Sequence, residues 1–350
     1  MKPQIIRILR IIMPLMALAS LVIFVPWTLV SVWLAPLPVT VQEQANAAIG
    51  YGLDGIIVYV DQGGKEPVSY TAGLKNRENK IPADPNSLFK IASISKLYIA
   101  TATAKLANDQ RLSLDATLAD YLPELKERIE NADQITLRML VQHRSGIPNY
   151  SDYPDYPWDH APDNQGALAF VLDTPADFLP NEKYAYSNTN YLLIGEILDR
   201  TLGYSHHDYI RQEILLPHGL NHTYNLLSEV DIDKVMSGYF VGYGPDIKNN
   251  DFPNPGGSMV ATIQDVGKFL RILNDGSLLN DDEQAIYSSI YDYGHTGLVP
   301  GYSSIARYHA DIDAVVIQFV NTSGGDTWTI SEMIYNRIVK ILKKGKDKES

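Results

Sequence analysis

The chemistry of this chain centres on Phe89-Lys90-Ile91-Ala92-Ser93-Ile94-Ser95-Lys96-Leu97-Tyr98-Ile99-Ala100. Between Ile91 and Ala104 the only charged residue is Lys96. A helix apolar on nearly every face belongs inside a domain. A lysine there is costly to bury as an ammonium, so its pKa should fall and make it a base. Ser93, three residues earlier, shares a helix face with Lys96, and in a first turn it would feel the positive end of the helix dipole. A weak nucleophile, a base in reach and a polarising setting are the ingredients of covalent acyl transfer. The spacing S-x-x-K also arises by chance in surface helices, so the assignment depends on partners elsewhere.

The elements that must position this pair read as follows. Residues 40–50 form a short helix. Gly55–Val60 and Val68–Gly73 flank the turn signal Asp61-Gln62-Gly63-Gly64 and form an antiparallel hairpin. Asp84, Asn86 and Ser87 offer helix-start chemistry ahead of the serine–lysine helix, which ends near Asn108-Asp109. Residues 116–145 read as mostly helical, and 146–165 as a loop rich in Tyr, Pro and Asp. In that loop Tyr150, Tyr153, Tyr156 and Trp158 either line a cleft mouth or pack at the surface. Helices resume at 166–174, 190–202 and 206–216. A Gly-, Pro- and Asn-rich connection occupies 237–257, and a helix capped at Thr262 follows to Leu273. Strands at Ser303–His309 and Asp313–Asn321 precede a closing amphipathic helix, Thr327–Leu342, and a lysine-rich tail. The reading is α/β (α+β): an antiparallel sheet from N- and C-terminal segments flanked by helices, with an inserted helical lobe. The α/β lobe takes residues 39–92 and 256–345, and the helical lobe 93–255. A cleft between two such lobes is a common place for a site.

The first 40 residues are different. Lys2, Arg7 and Arg10 precede an uncharged run from Ile11 to Gln42, strongly apolar to Leu34 and carrying Trp27 and Trp33. Its length suits a membrane span of ~20 residues with an aromatic belt. Residues 1–38 are therefore read as an N-terminal transmembrane helix. The N-terminus stays cytoplasmic and the domain 39–345 lies in the periplasm or otherwise outside the cytoplasm. Ala45-Asn46-Ala47 leaves open a long cleaved signal, and either reading exports the domain.

Three of the 29 basic residues and none of the 41 acidic ones fall in that segment, so the remainder carries −15 against a total of −12. A body this acidic is a poor partner for nucleic acid phosphates. No cysteine is present, which excludes disulfides and thiol chemistry. His206, His207, His218 and His222 lack the spacing and acidic neighbours of a metal site, so neither metal nor cofactor is expected.

Two further motifs follow Ser93-Ile94-Ser95-Lys96 in order: Tyr184-Ala185-Tyr186-Ser187-Asn188 and His295-Thr296-Gly297-Leu298. Together with His143-Arg144-Ser145-Gly146 and Pro255-Gly256-Gly257-Ser258-Met259, they make the stretch 45–342 resemble the serine β-lactamase and penicillin-binding superfamily. The resemblance is to its class C-like branch of D-Ala-D-Ala carboxypeptidases, D-aminopeptidases and esterases. It implies Ser93 as nucleophile, Lys96 as a proton acceptor, Tyr186 as second acid/base and Asn188 as orienter of the substrate amide. His295-Thr296-Gly297 would lie on a strand edge beside the serine, and the N–H groups of Ser93 and Leu298 would form the oxyanion hole. A phenol has a reference pKa of ~10, so Lys96 is expected to supply the charge that makes Tyr186 a base. His295 replaces the lysine of many β-lactamases and is mostly neutral at pH 7, so it holds a substrate carboxylate less firmly. Arg144 stands where a small polar residue is commoner. The implied function is an extracytoplasmic serine hydrolase acting on D-amino-acid peptides, amides or esters. The alternatives are a true β-lactamase and a non-hydrolytic penicillin-binding or scaffolding domain.

Overall fold

The computed structural model describes residues 3–349. It divides into a unit ending at Leu37 and a second beginning at Pro38.

The first unit holds helix α1 (Pro3–Phe24) and helix α2 (Trp27–Leu34), which bend by 77° at the break between them. Among the described residues no single helix is long and apolar enough to cross a membrane; this bent pair passes only together, by length and composition. The single transmembrane helix expected over this segment is therefore not borne out: the segment forms two shorter helices. Pro26 is the cause: it lacks an N–H and forces its predecessor out of helical backbone, so the helix restarts at Trp27.

The second unit is built on a six-stranded sheet. Helix α3 (Val41–Ile49) leads into strands β1 (Gly55–Gln62), β2 (Val68–Asn76) and β3 (Ile81–Pro82). A short strand β4 (Phe89–Lys90) precedes helix α4 (Ser95–Asn108). Then come helices α5 (Leu118–Tyr121), α6 (Leu137–Val141), α7 (Asn164–Ala169), α8 (Asn188–Leu202) and α9 (His206–Ile210). Short strands β5 (Thr223–Tyr224), β6 (Tyr239–Phe240) and β7 (Val260–Ala261) lead to helices α10 (Ile263–Asn274) and α11 (Asp281–Ile290). Strands β8 (His295–Val299), β9 (Tyr302–His309), β10 (Ala314–Val320) and β11 (Thr322–Ser323), then helix α12 (Thr327–Glu349), close the chain.

The main sheet runs β3-β2-β1-β10-β9-β8 with every neighbour antiparallel, so N- and C-terminal segments meet at β1 and β10. Both strands are apolar runs covered on both faces. Tyr59, Ile317 and Phe319 face α10, where Gly267 allows close approach: a Cβ there would lie 2.2 Å from the Tyr59 ring. On the opposite pleat Gln318 donates to Ser331 of α12. Strand β8 ends the sheet and lies against the turn Ala92–Ile94 that precedes α4.

Helix α4 is buried on all sides from Ser95 to Ala104, with Tyr98 stacked on Phe269 at 3.8 Å between ring centroids. Two expectations need correction. Residues 116–145 are mostly turns, because Pro123 and the left-handed Asn131 (φ 62°) interrupt an apolar spacing that looks helical. Helix α11 was not anticipated, although Asn280 and Glu283 form a complete capping box at its start.

Candidate active site

Ser93 does not lie in the first turn of α4 but in the 3-10 turn Ala92–Ile94 just before it. Every residue from Ser87 to Ala104 is buried except Ser93, which is half-buried. Ala92 adopts a left-handed φ of 49°, a strain of ~1–3 kcal/mol for a residue with a Cβ. The surrounding structure holds it there. The Ile91 carbonyl accepts from Ser304 Oγ at 3.4 Å, and β8 presses in at Gly297. A Cβ on Gly297 would come within 2.3 Å of that carbonyl and 3.2 Å of Ala92 Cβ. Glycine is thus what allows β8 to lie against the serine.

Lys96 is fully buried. Its Nζ donates to Ser93 Oγ at 3.1 Å, Asn188 Oδ1 at 2.9 Å and the Gly256 carbonyl at 2.8 Å. Burial pushes its pKa down to about 7, so the neutral amine is abundant at physiological pH. The Gly256 carbonyl is a partner that motif reading missed. Its left-handed φ of 79° and lack of a Cβ, which would meet Tyr191 at 2.8 Å, bring the backbone to the amine.

The Tyr186 hydroxyl donates to Ser93 Oγ at 2.8 Å, and Lys96 Nζ lies 5.0 Å from the Tyr186 ring centroid. Burial works against a charge-activated phenolate here. Burial pushes the phenol well above its ordinary value, only partly offset by the bond to Ser93. The phenol therefore keeps its proton in the resting site, and the Lys96 amine is the more easily deprotonated of the two.

Asn188 opens α8, and both ends of its amide are engaged: Oδ1 with Lys96, Nδ2 with Ser151 Oγ at 2.9 Å. His295 is stacked on Tyr291, 5.9 Å and 12° apart, with its Nδ1 against the Thr296 carbonyl. Burial, then the neighbouring Lys96, lowers its pKa to about 4, so it is a neutral imidazole. Thr296 and Leu298 follow on the same edge strand, Leu298 with half of its surface exposed. Ser93 is thus bonded to Lys96 and Tyr186, and Lys96 to Asn188; His295 stands beside Tyr186, Gly297 packs against the turn that carries Ser93, and Thr296 and Leu298 share that strand.

Positioning of Tyr186 depends on a residue that the motifs held but did not explain. The His143 carbonyl accepts from Ala185 N–H at 2.9 Å, and its Nδ1 accepts from Ser187 N–H at 3.2 Å. These bonds bracket Tyr186, whose ring packs on the His143 ring at 4.5 Å. Burial lowers the His143 pKa to about 3, which keeps Nδ1 free to accept. Arg144 contributes in a similar way. It donates to Asn181 Oδ1 and the Asn181 carbonyl, both at 2.7 Å, and so fixes the loop leading to Tyr186. No sequence signal pairs residues this far apart.

Elsewhere, Tyr150 and Tyr156 are buried, each within 3.5 Å of Asn254 Oδ1, whereas Trp158 stays 38% exposed and lines a cleft. The loop thus serves both packing and cleft. His206 pairs with Asp199 at 2.7 Å, and His218 contacts the Ile214 carbonyl at 2.9 Å. Among the described residues no three His, Asp or Glu side chains are placed to hold a metal ion.

A serine–lysine pair at the head of a buried helix, a phenol from the loop leading into α8 and an antiparallel edge strand define the β-lactamase/transpeptidase-like α/β fold. The chain belongs to the Beta-lactamase family, whose profile matches residues 40–289. Family members are serine hydrolases. The D-amino acid amidase from Ochrobactrum anthropi SV3, complexed with L-phenylalanine amide, is similar in structure, with TM-score 0.77 and 25% identity. That match covers 87% of this chain and 98% of the amidase. A class C beta lactamase from Rhodobacter sphaeroides shares the fold, with TM-score 0.68 and 21% identity over 87% of this chain and 99% of that one. Penicillin-binding protein 4* of Bacillus subtilis (strain 168) is 32% identical over 189 residues, 52% of this chain. The match spans only 41% of that relative's length.

Proposed function

We propose that this protein is an extracytoplasmic serine hydrolase that forms an acyl-enzyme on Ser93 and acts on D-amino-acid peptides, amides or esters. The observation that carries the reading is the single Ser93 oxygen bonded by both Lys96 Nζ and Tyr186 OH. Neutral Lys96 takes the Ser93 proton as Oγ attacks the carbonyl. The N–H groups of Ser93 and Leu298 bind the oxyanion, a contribution of ~10²–10³ per donor. Tyr186 passes its proton to the departing nitrogen or oxygen and regains one from the Lys96 ammonium. Water then attacks the ester by the same steps in reverse, releasing the acid and restoring Ser93.

The neutral His295 favours uncharged amide and ester substrates over a substrate anchored by its carboxylate. That ranks the β-lactamase reading second. The complete Ser93, Lys96, Tyr186 and Asn188 set speaks against a non-hydrolytic scaffold. Mass spectrometry after incubation with β-lactam and ester probes tests the proposal. A long-lived adduct on Ser93 is expected; labelling elsewhere, or none, rejects it. Rapid Ser93-dependent turnover of a chromogenic cephalosporin would reverse the ranking.

Export is proposed on the basic residues before Ile11 and on the apolar α1–α2 pair, which would anchor the protein with its N-terminus cytoplasmic. Retention of the full chain in the membrane fraction after alkaline carbonate extraction is expected. Complete release into the soluble fraction would refute the anchor.

A further inference from the structure

A cleft of about 740 Å³ takes Leu298 into its lining, with predominantly apolar walls supplied by Trp158, Phe240, Val241, Tyr243, Val299 and Pro300. Phe240, Val241 and Tyr243 are 41%, 49% and 56% exposed, a concentration of accessible apolar surface that needs explanation. Its rim is tied in place. Val241 N–H donates to the Ser323 carbonyl at 2.9 Å, and Tyr243 N–H to the Phe240 carbonyl at 2.9 Å. Two of its polar groups are already matched: Ser323 Oγ accepts from Gly301 N–H at 2.7 Å, and the Asn250 carbonyl accepts from Lys90. The one acid, Asp159, lies at the exposed mouth, 3.1 Å from His160.

The geometry also says which part of a substrate reaches this cleft. Tyr186, the donor to the leaving group, has its ring 6.2 Å from that of His295. Leu298 lies three residues further along the same strand, about 10 Å away at the usual rise. The cleft therefore receives the part of the substrate that runs past Leu298, on the side away from His295.

We propose that the cleft is the acyl site, and that it selects a long, uncharged apolar acyl group, such as a medium-chain alkanoyl chain, over a short one or a free α-ammonium. The proposal rests on acyl transfer at Ser93. No partnerless carboxylate stands within the cleft to hold an ammonium, and its volume suits a ligand far larger than one amino-acid side chain. Each buried methylene adds about threefold to fourfold in binding.

Hydrolysis of p-nitrophenyl acetate, butyrate, octanoate and decanoate by the full chain tests this. The expected kcat/KM for decanoate exceeds that for acetate at least tenfold. Val241→Asp, which puts a charge in the wall, lowers the decanoate-to-acetate ratio at least tenfold; Val241→Trp, which narrows the cleft without charge, lowers it in the same direction. Equal rates along the series, or an unchanged ratio in both variants, overturn the proposal. Direct titration of Ser93→Ala with a dansylated undecanoic acid reads the cleft without catalysis. Saturable binding weakened by Val241→Asp supports it, and no saturable binding refutes it. Full esterase activity in Ser93→Ala would instead remove the underlying acyl-enzyme reading.

Discussion

Lys96 Nζ and Ser93 Oγ stand 3.1 Å apart, with the amine sealed from solvent and the hydroxyl half-buried at its edge. The base is therefore desolvated while the nucleophile remains open to substrate. Tyr186 completes the arrangement from 93 residues away.

The three groups act as one unit. Lys96→Ala and Tyr186→Phe should each slow acylation about 10³-fold or more, and the double variant should be little worse than either single one. Stopped-flow acylation by a chromogenic ester measures this. Mild losses that multiply would show that the residues act separately.

Acylation should follow the neutral amine. kcat/KM should rise with pH through an apparent pKa near 7 and fall about tenfold per unit below it, with Lys96 protonated. A profile governed only by a group near 10 would mean that the phenol is the base.

The same shift bears on stability. Lys96 has a folded pKa below its unfolded one, so the unfolded chain binds the extra proton between about 7 and 10.5. Its penalty on folding is complete below pH 7 and fades as pH rises towards 10.5. Lys96→Met should therefore raise Tm relative to wild type more at pH 6 than at pH 9. Calorimetry at the two pH values decides, and an equal difference at both would contradict burial as the cause.

Gly297→Ala should force β8 away from Ile91 and Ala92, because its new methyl would lie 2.3 Å from the Ile91 carbonyl and 2.4 Å from Ser304 Oγ. The expected cost is about 1–3 kcal/mol in denaturant unfolding, with acylation slowed at least ~10-fold. Wild-type kinetics would show that the strand does not set the site.

His143→Phe keeps an aromatic ring against Tyr186 but cannot accept the Ser187 N–H. Acylation should fall about 10–100-fold through misplacement of the phenol. In a Tyr186→Phe background the same change should cost little further. An equal loss in both backgrounds would reduce His143 to a general packing role.

Much of the architecture was legible because its signals are local. The β-branched run at Ile56–Val60 and the glycine turn after it mark the first hairpin, and Thr262 with Asp265 marks the start of α10. The same local reasoning overstated helix in 116–145, where apolar spacing outweighed Pro123, and placed one helix where Pro26 makes two. It also passed over α11, whose capping box is clear but whose apolar face is slight.

What the sequence determined is the inventory: an alcohol and an amine three residues apart on a helix too apolar to be exposed, and a tyrosine, asparagine and glycine-bearing strand to meet them. That follows from helical periodicity and from the cost of burying charge. The proton affinities of the amine and the phenol depend on the tertiary structure. Desolvation depends on every segment packed around a side chain, and here it lowers the amine and raises the phenol together. The Gly256 carbonyl on Lys96, the His143 bracket around Tyr186 and the apolar cleft beyond Leu298 likewise join residues that no local pattern links.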